Sequence, residues 1–165
     1  MNGRATDSQF AQNPLPIARA MGIALARFHQ SPVPNGLTSR TDEEVANALS
    51  ILDGGATPPA PFTRYSPSAL TTQLGQRPQG TGPVHTHGAP VVDSAVLVDS
   101  IVTFESAGCE GFDAPERDLA IVIRSIAETF TSEVAATFIE GYVETGGELP
   151  KAPALDWYGL VAAFR

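Results

Sequence analysis

The sequence predicts an α+β domain that is mainly helical and carries one small β-hairpin element. Three observations point there. Apolar residues recur at helical spacing in several stretches, prolines and glycines bound those stretches, and two short β-favouring runs stand two residues apart beyond the middle of the chain. With 165 residues, 42% of them hydrophobic, the chain suits one domain with its own core. The expected division is a flexible N-terminal arm over 1–14 and a single domain over 15–165.

The first helix is expected after Pro14 and Pro16, where Ile17, Met21, Ala24, Leu25 and Phe28 form one apolar stripe that Pro32 and Pro34 stop. Thr41-Asp42-Glu43-Glu44 reads as a capping box, with the Thr41 oxygen on the third N–H and Glu44 reaching back. Val45, Leu49 and Leu52 follow as the buried stripe, and Gly54-Gly55 ends the helix. From Ala56 to Pro83 the chain reads as loop. Within it stands one short helix, capped by Ser66 and begun by Pro67, with Leu70 and Leu74 facing inward.

Pro83 to His87, Ala95 to Val98 and Ile101 to Glu105 favour strand, the last two joined through Asp99-Ser100 as a tight turn. Asp113-Ala114-Pro115-Glu116 reads as a second capped start. The stripe of Leu119, Val122, Ile123, Ile126 and Phe130 that follows is wide enough for a central helix. Thr131 or Ser132 caps the next helix, with Val134, Phe138, Ile139 and Tyr142, and Gly146-Gly147 stops it. Leu155 to Phe164 closes the chain, its Trp157 and Tyr158 read as core in preference to a binding surface.

A net charge of −8, from 18 acidic against 10 basic residues without a basic cluster, argues against nucleic acid. No apolar run reaches the roughly 18 to 20 residues of a membrane span, and the start is polar, so the expectation is a cytoplasmic protein without membrane contact. Cys109 is the single cysteine and has no partner for an internal disulfide; between Gly108 and Glu110 it reads as an inert thiol.

Four segments in order resemble the C-terminal lobe of aminoglycoside phosphotransferases and related small-molecule kinases, over about residues 15 to 145. Ile17 to Pro34 is similar to the family's helix that ends in Leu/Phe-His before a proline-rich turn. His87-Gly88-Ala89-Pro90 looks like its catalytic His-Gly-Asp, with Ser94 where a metal-binding asparagine stands. Ile101 to Gly108 resembles the strand with the second metal-binding aspartate, and Pro115 to Ala120 the Asp-Leu-Ala that opens the central helix. The resemblance implies a protein-kinase-like C-terminal lobe. The residues before the first helix are too few for the family's N-terminal lobe, so that lobe is expected to be absent.

The departures fall where phosphoryl transfer needs oxygen ligands and a base. Ala89 replaces the base, Ser94 the amide and Thr103 the second metal-binding carboxylate, so no catalytic residue is expected. The expected function is a non-catalytic binding or interaction module, pairing with a small molecule, a protein or a second copy of itself, with no cofactor. Placing His85 at the family histidine would put His87 at the base position but breaks the glycine match, so His87 is preferred.

His85, His87, Asp93 and Glu105 are the candidate cleft-binding residues. On a strand, His85 and His87 share a face and with either acid would suit a metal. An internally hydrogen-bonded His87 is the preferred reading. Asp118 is of exposed type and favours the helix dipole, and the resemblance implies that it braces the catalytic loop. Two alternatives stand beside the main reading. One is an ATP- and magnesium-dependent phosphotransferase completed by a partner chain; the other is a different enzyme using the same cleft.

Overall fold

The computed structural model describes residues 3–5, 7, 12–99, 101–106 and 108–165. Six α-helices follow in chain order: α1 (Pro14–His29), α2 (Thr41–Asp53), α3 (Pro67–Leu74), α4 (Glu116–Thr129), α5 (Ser132–Glu144) and α6 (Ala152–Ala162). Five short strands accompany them: β1 (Gly3–Arg4), β2 (Val84–Thr86), β3 (Ala95–Val98), β4 (Ile101–Phe104) and β5 (Gly111–Asp113). The mainly helical α+β class and all six helices agree with the sequence reading. Among the described residues no helix is long and apolar enough to cross a membrane.

β3 and β4 form the expected antiparallel hairpin, with Val98 opposite Ile101 across the two-residue turn. Asp99 takes a left-handed φ of 48°, as such turns require; Ser100 lies outside the described residues. Two strands were not legible. Within the arm, Gly3–Arg4 pairs antiparallel with β3, and Ala5 is buried behind it. Gly111–Asp113 pairs with β2, Val84 opposite Asp113. Runs of two and three residues are too short to show alternation.

Two apolar clusters share one helix. Leu119, Val122 and Ile126 on α4 pack with Met21, Leu25, Phe138 and the hairpin. Ala120, on the other side of α4, joins Leu52, Leu70, Leu74 and the α6 residues Trp157, Leu160 and Val161. Burial of each large side chain contributes about 1.5–3 kcal/mol. The wide stripe of α4 follows from its having a core on both sides. Trp157 and Tyr158 are buried, in line with the core reading.

Two of the four capping signals hold. Ser66 accepts the Ala69 N–H, and Thr131 accepts that of Val134. The two expected capping boxes do not form. Thr41 is already the first residue of α2, and its hydroxyl donates to Asp113 at 2.7 Å, while Glu44 turns outward to Arg117. Asp113 lies on β5, and Glu116 accepts from the Thr81 N–H and hydroxyl and the Lys151 N–H. In each case a tertiary partner takes the side chain that would otherwise serve the helix's own N–H groups.

Candidate functional site

The site grows from the loop that leaves β2. Gly88 stands at φ 89°, and a Cβ there would collide with the carbonyl of Cys109, so both its conformation and its neighbour require glycine. The loop is held from beneath by Asp118, whose carboxylate accepts the backbone N–H of His87 at 2.6 Å and of Gly88 at 2.8 Å. Asp118 is fully buried and not of exposed type as the sequence suggested; its position in the first turn of α4 points it at the loop.

Behind the carboxylate lies a polar chain. His29, the last residue of α1, places Nε2 3.1 Å from Asp118 and Nδ1 2.8 Å from the Tyr142 hydroxyl of α5. An ionised carboxylate only accepts, so Nε2 carries a hydrogen. Burial alone would push Asp118 up, but the His29 hydrogen bond and charge, the Gly88 N–H and the Arg117 charge together hold it below the usual carboxylate range. Tyr142 is pushed well up by burial and then by the charges of Asp118, Glu116 and Glu148.

Arg117, also buried, knots the loop to α2. Its guanidinium donates to Glu44 through two nitrogens, at 3.1 and 2.5 Å, and lies 3.9 Å from both Asp113 and Asp118. Burial disfavours its charge, yet the Glu44 hydrogen bonds and the three carboxylates more than offset this and raise its pKa. Arg165 completes the knot, donating to the Gly88 carbonyl at 2.5 Å and to Glu44. None of Glu44, Arg117, Arg165, His29 or Tyr142 was singled out as a site residue. The Phe-His end of α1 was the one local signal available.

The three altered positions lie around this loop. Ala89 is half-buried and presents a methyl group. The Ser94 hydroxyl donates to the Val91 carbonyl at 2.8 Å and accepts its N–H at 3.1 Å, closing the loop on itself. Thr103 is exposed on β4, opposite Val96. The Ser94 carbonyl accepts the Glu105 N–H, which ties loop to hairpin.

The four candidate cleft residues do not converge. His87 is buried, with Nε2 3.0 Å from the Glu105 carbonyl, and His85 sets Nδ1 2.9 Å from the Ser31 hydroxyl. Both rings pack on Phe28, so they share a face as expected. Glu105 pairs with Arg4 at 3.0 Å, and the same arginine donates to the Asp93 carbonyl. His85 Nε2 has no hydrogen-bond partner and faces Glu110 at 3.6 Å. Among the described residues no three His, Cys, Asp or Glu side chains gather as a metal site. Magnesium would meet hydroxyls at Ser94 and Thr103 and a methyl at Ala89, a donor set that does not fit a hard divalent cation. Cys109 is half-buried, its Sγ 3.9 Å from the His87 carbonyl.

A kinase-like C-terminal lobe is the class that this loop, hairpin and braced central helix define. Comparison with solved structures gives the same fold. The chain superposes on an aminoglycoside-3'-phosphotransferase of type VIII with a TM-score of 0.76 at 20% identity, covering 93% of this chain and 62% of that one. On the aminoglycoside phosphotransferase of Streptomyces rimosus, solved with ADP and streptomycin, the values are 0.69 and 20%, covering 92% and 64%. A type I macrolide 2'-phosphotransferase gives 0.64 at 18%, covering 93% and 52%. The chain thus spans less than two thirds of the length of each. No family model and no curated protein matches it.

Proposed function

We propose that this chain is a binding or interaction module built on a phosphotransferase-like C-terminal lobe, and that it does not itself transfer phosphate. The observation that carries this reading is the division between frame and chemistry. The frame is intact: Asp118 holds two loop N–H groups, and His29 and Arg117 hold Asp118. The chemistry is missing. Ala89 has no proton acceptor, Ser94 spends its hydroxyl inside the loop, and Thr103 carries no charge.

The test is a thermal melt with millimolar ATP and magnesium, beside the triple variant Ala89→Asp, Ser94→Asn, Thr103→Asp. The expected result is no shift for the natural chain. A ligand held at a hundred times its Kd would stabilise by about 2.7 kcal/mol, well within reach of a melt. A clear rise in Tm of the unaltered chain favours the other reading, a phosphotransferase completed by a partner chain. That reading draws on the fold shared with phosphotransferases. It would also need His87 and Glu105 to leave their present bonds.

Self-association is the partner reading that Val98 and Ile101, exposed at the hairpin tip, support. Light scattering that gives a clean monomer overturns it. The absence of a cysteine pair suits a reducing compartment, and we place the protein in the cytoplasm on that ground.

A further inference from the structure

We propose that the open edge of β4 takes an extended peptide segment of a partner protein as an added strand. The register of the hairpin decides which main-chain groups are free. Val98 stands opposite Ile101 across a two-residue turn, so that pair is hydrogen-bonded, and so is every second pair after it. Thr103 therefore bonds to Val96, and Glu105 continues the series with its N–H on the Ser94 carbonyl at 2.8 Å. The residues between them turn their main-chain groups the other way. On β3 these are Ala95 and Leu97, which β1 covers, the Ala95 carbonyl accepting the Ala5 N–H at 3.0 Å. On β4 they are Val102 and Phe104. Among the described residues neither the N–H nor the carbonyl of either one has a hydrogen-bond partner on this edge.

The free edge opens on a groove. Val102 and Phe104 turn their side chains to the core, and α1 packs against that face through Met21 and Leu25. Ala20, Ile23, Ala24 and Phe28 of α1 run on past the strand and floor a space of about 510 Å³ beside it. Directly paired residues of antiparallel strands point to the same face, so a segment paired with Val102 and Phe104 sets every second side chain on that floor. Two of the four floor residues are alanines, which leave depth for branched aliphatic side chains. β4 carries neither proline nor lysine, two of the residues that close natural sheet edges. Main-chain bonds along an edge with alternate side chains in a groove are the general form of strand addition.

Arg27 adds a charge requirement. It is exposed in the lining of the groove, and among the described residues its guanidinium has no hydrogen-bond or ion-pair partner. Phe28 and Phe104 both pack against the His87 ring, so Arg27 stands toward the Phe104 end of the strand. In an antiparallel segment the residue two places before the one opposite Phe104 lies on the same face at that end. A carboxylate there meets the guanidinium. The partner segment thus reads acid, any, aliphatic, any, aliphatic.

A lone strand suits the space better than a second copy of this chain. A copy paired through its own β4 would bring a second α1 into the layer that α1 already fills. The proposal rests on the interaction reading and gives it a partner. The ATP melt tests the lost chemistry and the peptide titration tests only this edge, so each can fail alone.

The experiment titrates the isotope-labelled full chain with the peptide acetyl-DTVTVT-amide and follows its amide signals by NMR. Saturable shifts are expected at Val102, Phe104 and the groove residues of α1, with amide hydrogen exchange at Val102 and Phe104 slowed at least ten-fold at saturation. The same peptide N-methylated at both valines keeps its side chains and loses its bonds to the strand, and it is expected to bind at least ten-fold more weakly. Arg27→Glu, at an exposed position, is expected to weaken the first peptide at least three-fold and to favour acetyl-KTVTVT-amide instead. Unchanged exchange at Val102 and Phe104, equal binding of the N-methylated peptide, or no effect of Arg27→Glu on either charged peptide would overturn the proposal. So would a dimer that excludes the peptide, which gives the edge to a second copy.

Discussion

Asp118 carries four polar contacts and is wholly buried, and its removal is therefore costly out of proportion to its size. Asp118→Asn leaves Arg117 short of one countercharge and turns an amide hydrogen toward a loop N–H. Breaking a buried pair in this way costs about 3–5 kcal/mol, to be read by urea denaturation. The same group sets an acid limit. Its folded pKa is held low, so its contribution is whole above the ordinary value of about 3.9 and is lost as pH falls through the folded value. Tyr142 sets the opposite limit. Its pKa is raised, so its contribution is whole below about pH 10 and is lost as pH rises beyond that. Stability measured against pH is expected to fall at both ends. Tyr142→Phe flattens the alkaline end and Asp118→Asn the acid end.

At the scale of the elements, the helix starts separate two meanings of one sequence pattern. At Ser66 and Thr131 the hydroxyl accepts a local N–H, and replacing either with alanine is expected to cost about 1 kcal/mol. At Thr41 the hydroxyl serves Asp113, 72 residues away. Thr41→Ala is therefore expected to lose its effect in an Asp113→Ala background, which a double-mutant cycle in urea measures. An effect that persists would return Thr41 to a capping role. The sequence showed the helices, because apolar spacing and proline or glycine boundaries are local. It showed the order His87, Ala89, Ser94, Thr103 and Asp118, because these sit in short motifs. It could not show that Glu44 would find Arg117 across 73 residues, since a glutamate three places after a threonine looks the same whether it bends back or reaches out. The pairing of β2 with β5 was hidden for a related reason, as three residues carry too little pattern.

The whole molecule is held by a helix crossing that apolar spacing does not announce. α1 and α5 approach until backbone meets backbone: a Cβ on Gly22 would collide with the Phe138 carbonyl, and one on Gly141 with the Arg19 carbonyl. Neither contact ends in a flexible side chain that can turn away. Gly22→Ala and Gly141→Ala are each expected to destabilise by at least the 1–3 kcal/mol of core overpacking, against the gain of about 1 kcal/mol that alanine gives an open helix. Thermal melts of the two variants beside Gly159→Ala, where the space is open, make the contrast within one protein. The crossing carries His29 and Tyr142 to either side of one hydrogen bond, so loosening it also loosens the support of Asp118.

Because Asp118 grips main-chain N–H groups, the loop keeps its shape whichever side chain stands at position 89. The main chain there is set by partners that never touch the position-89 side chain, so an exchange at 89 is free to alter what the loop presents to its surroundings without altering how the loop is held.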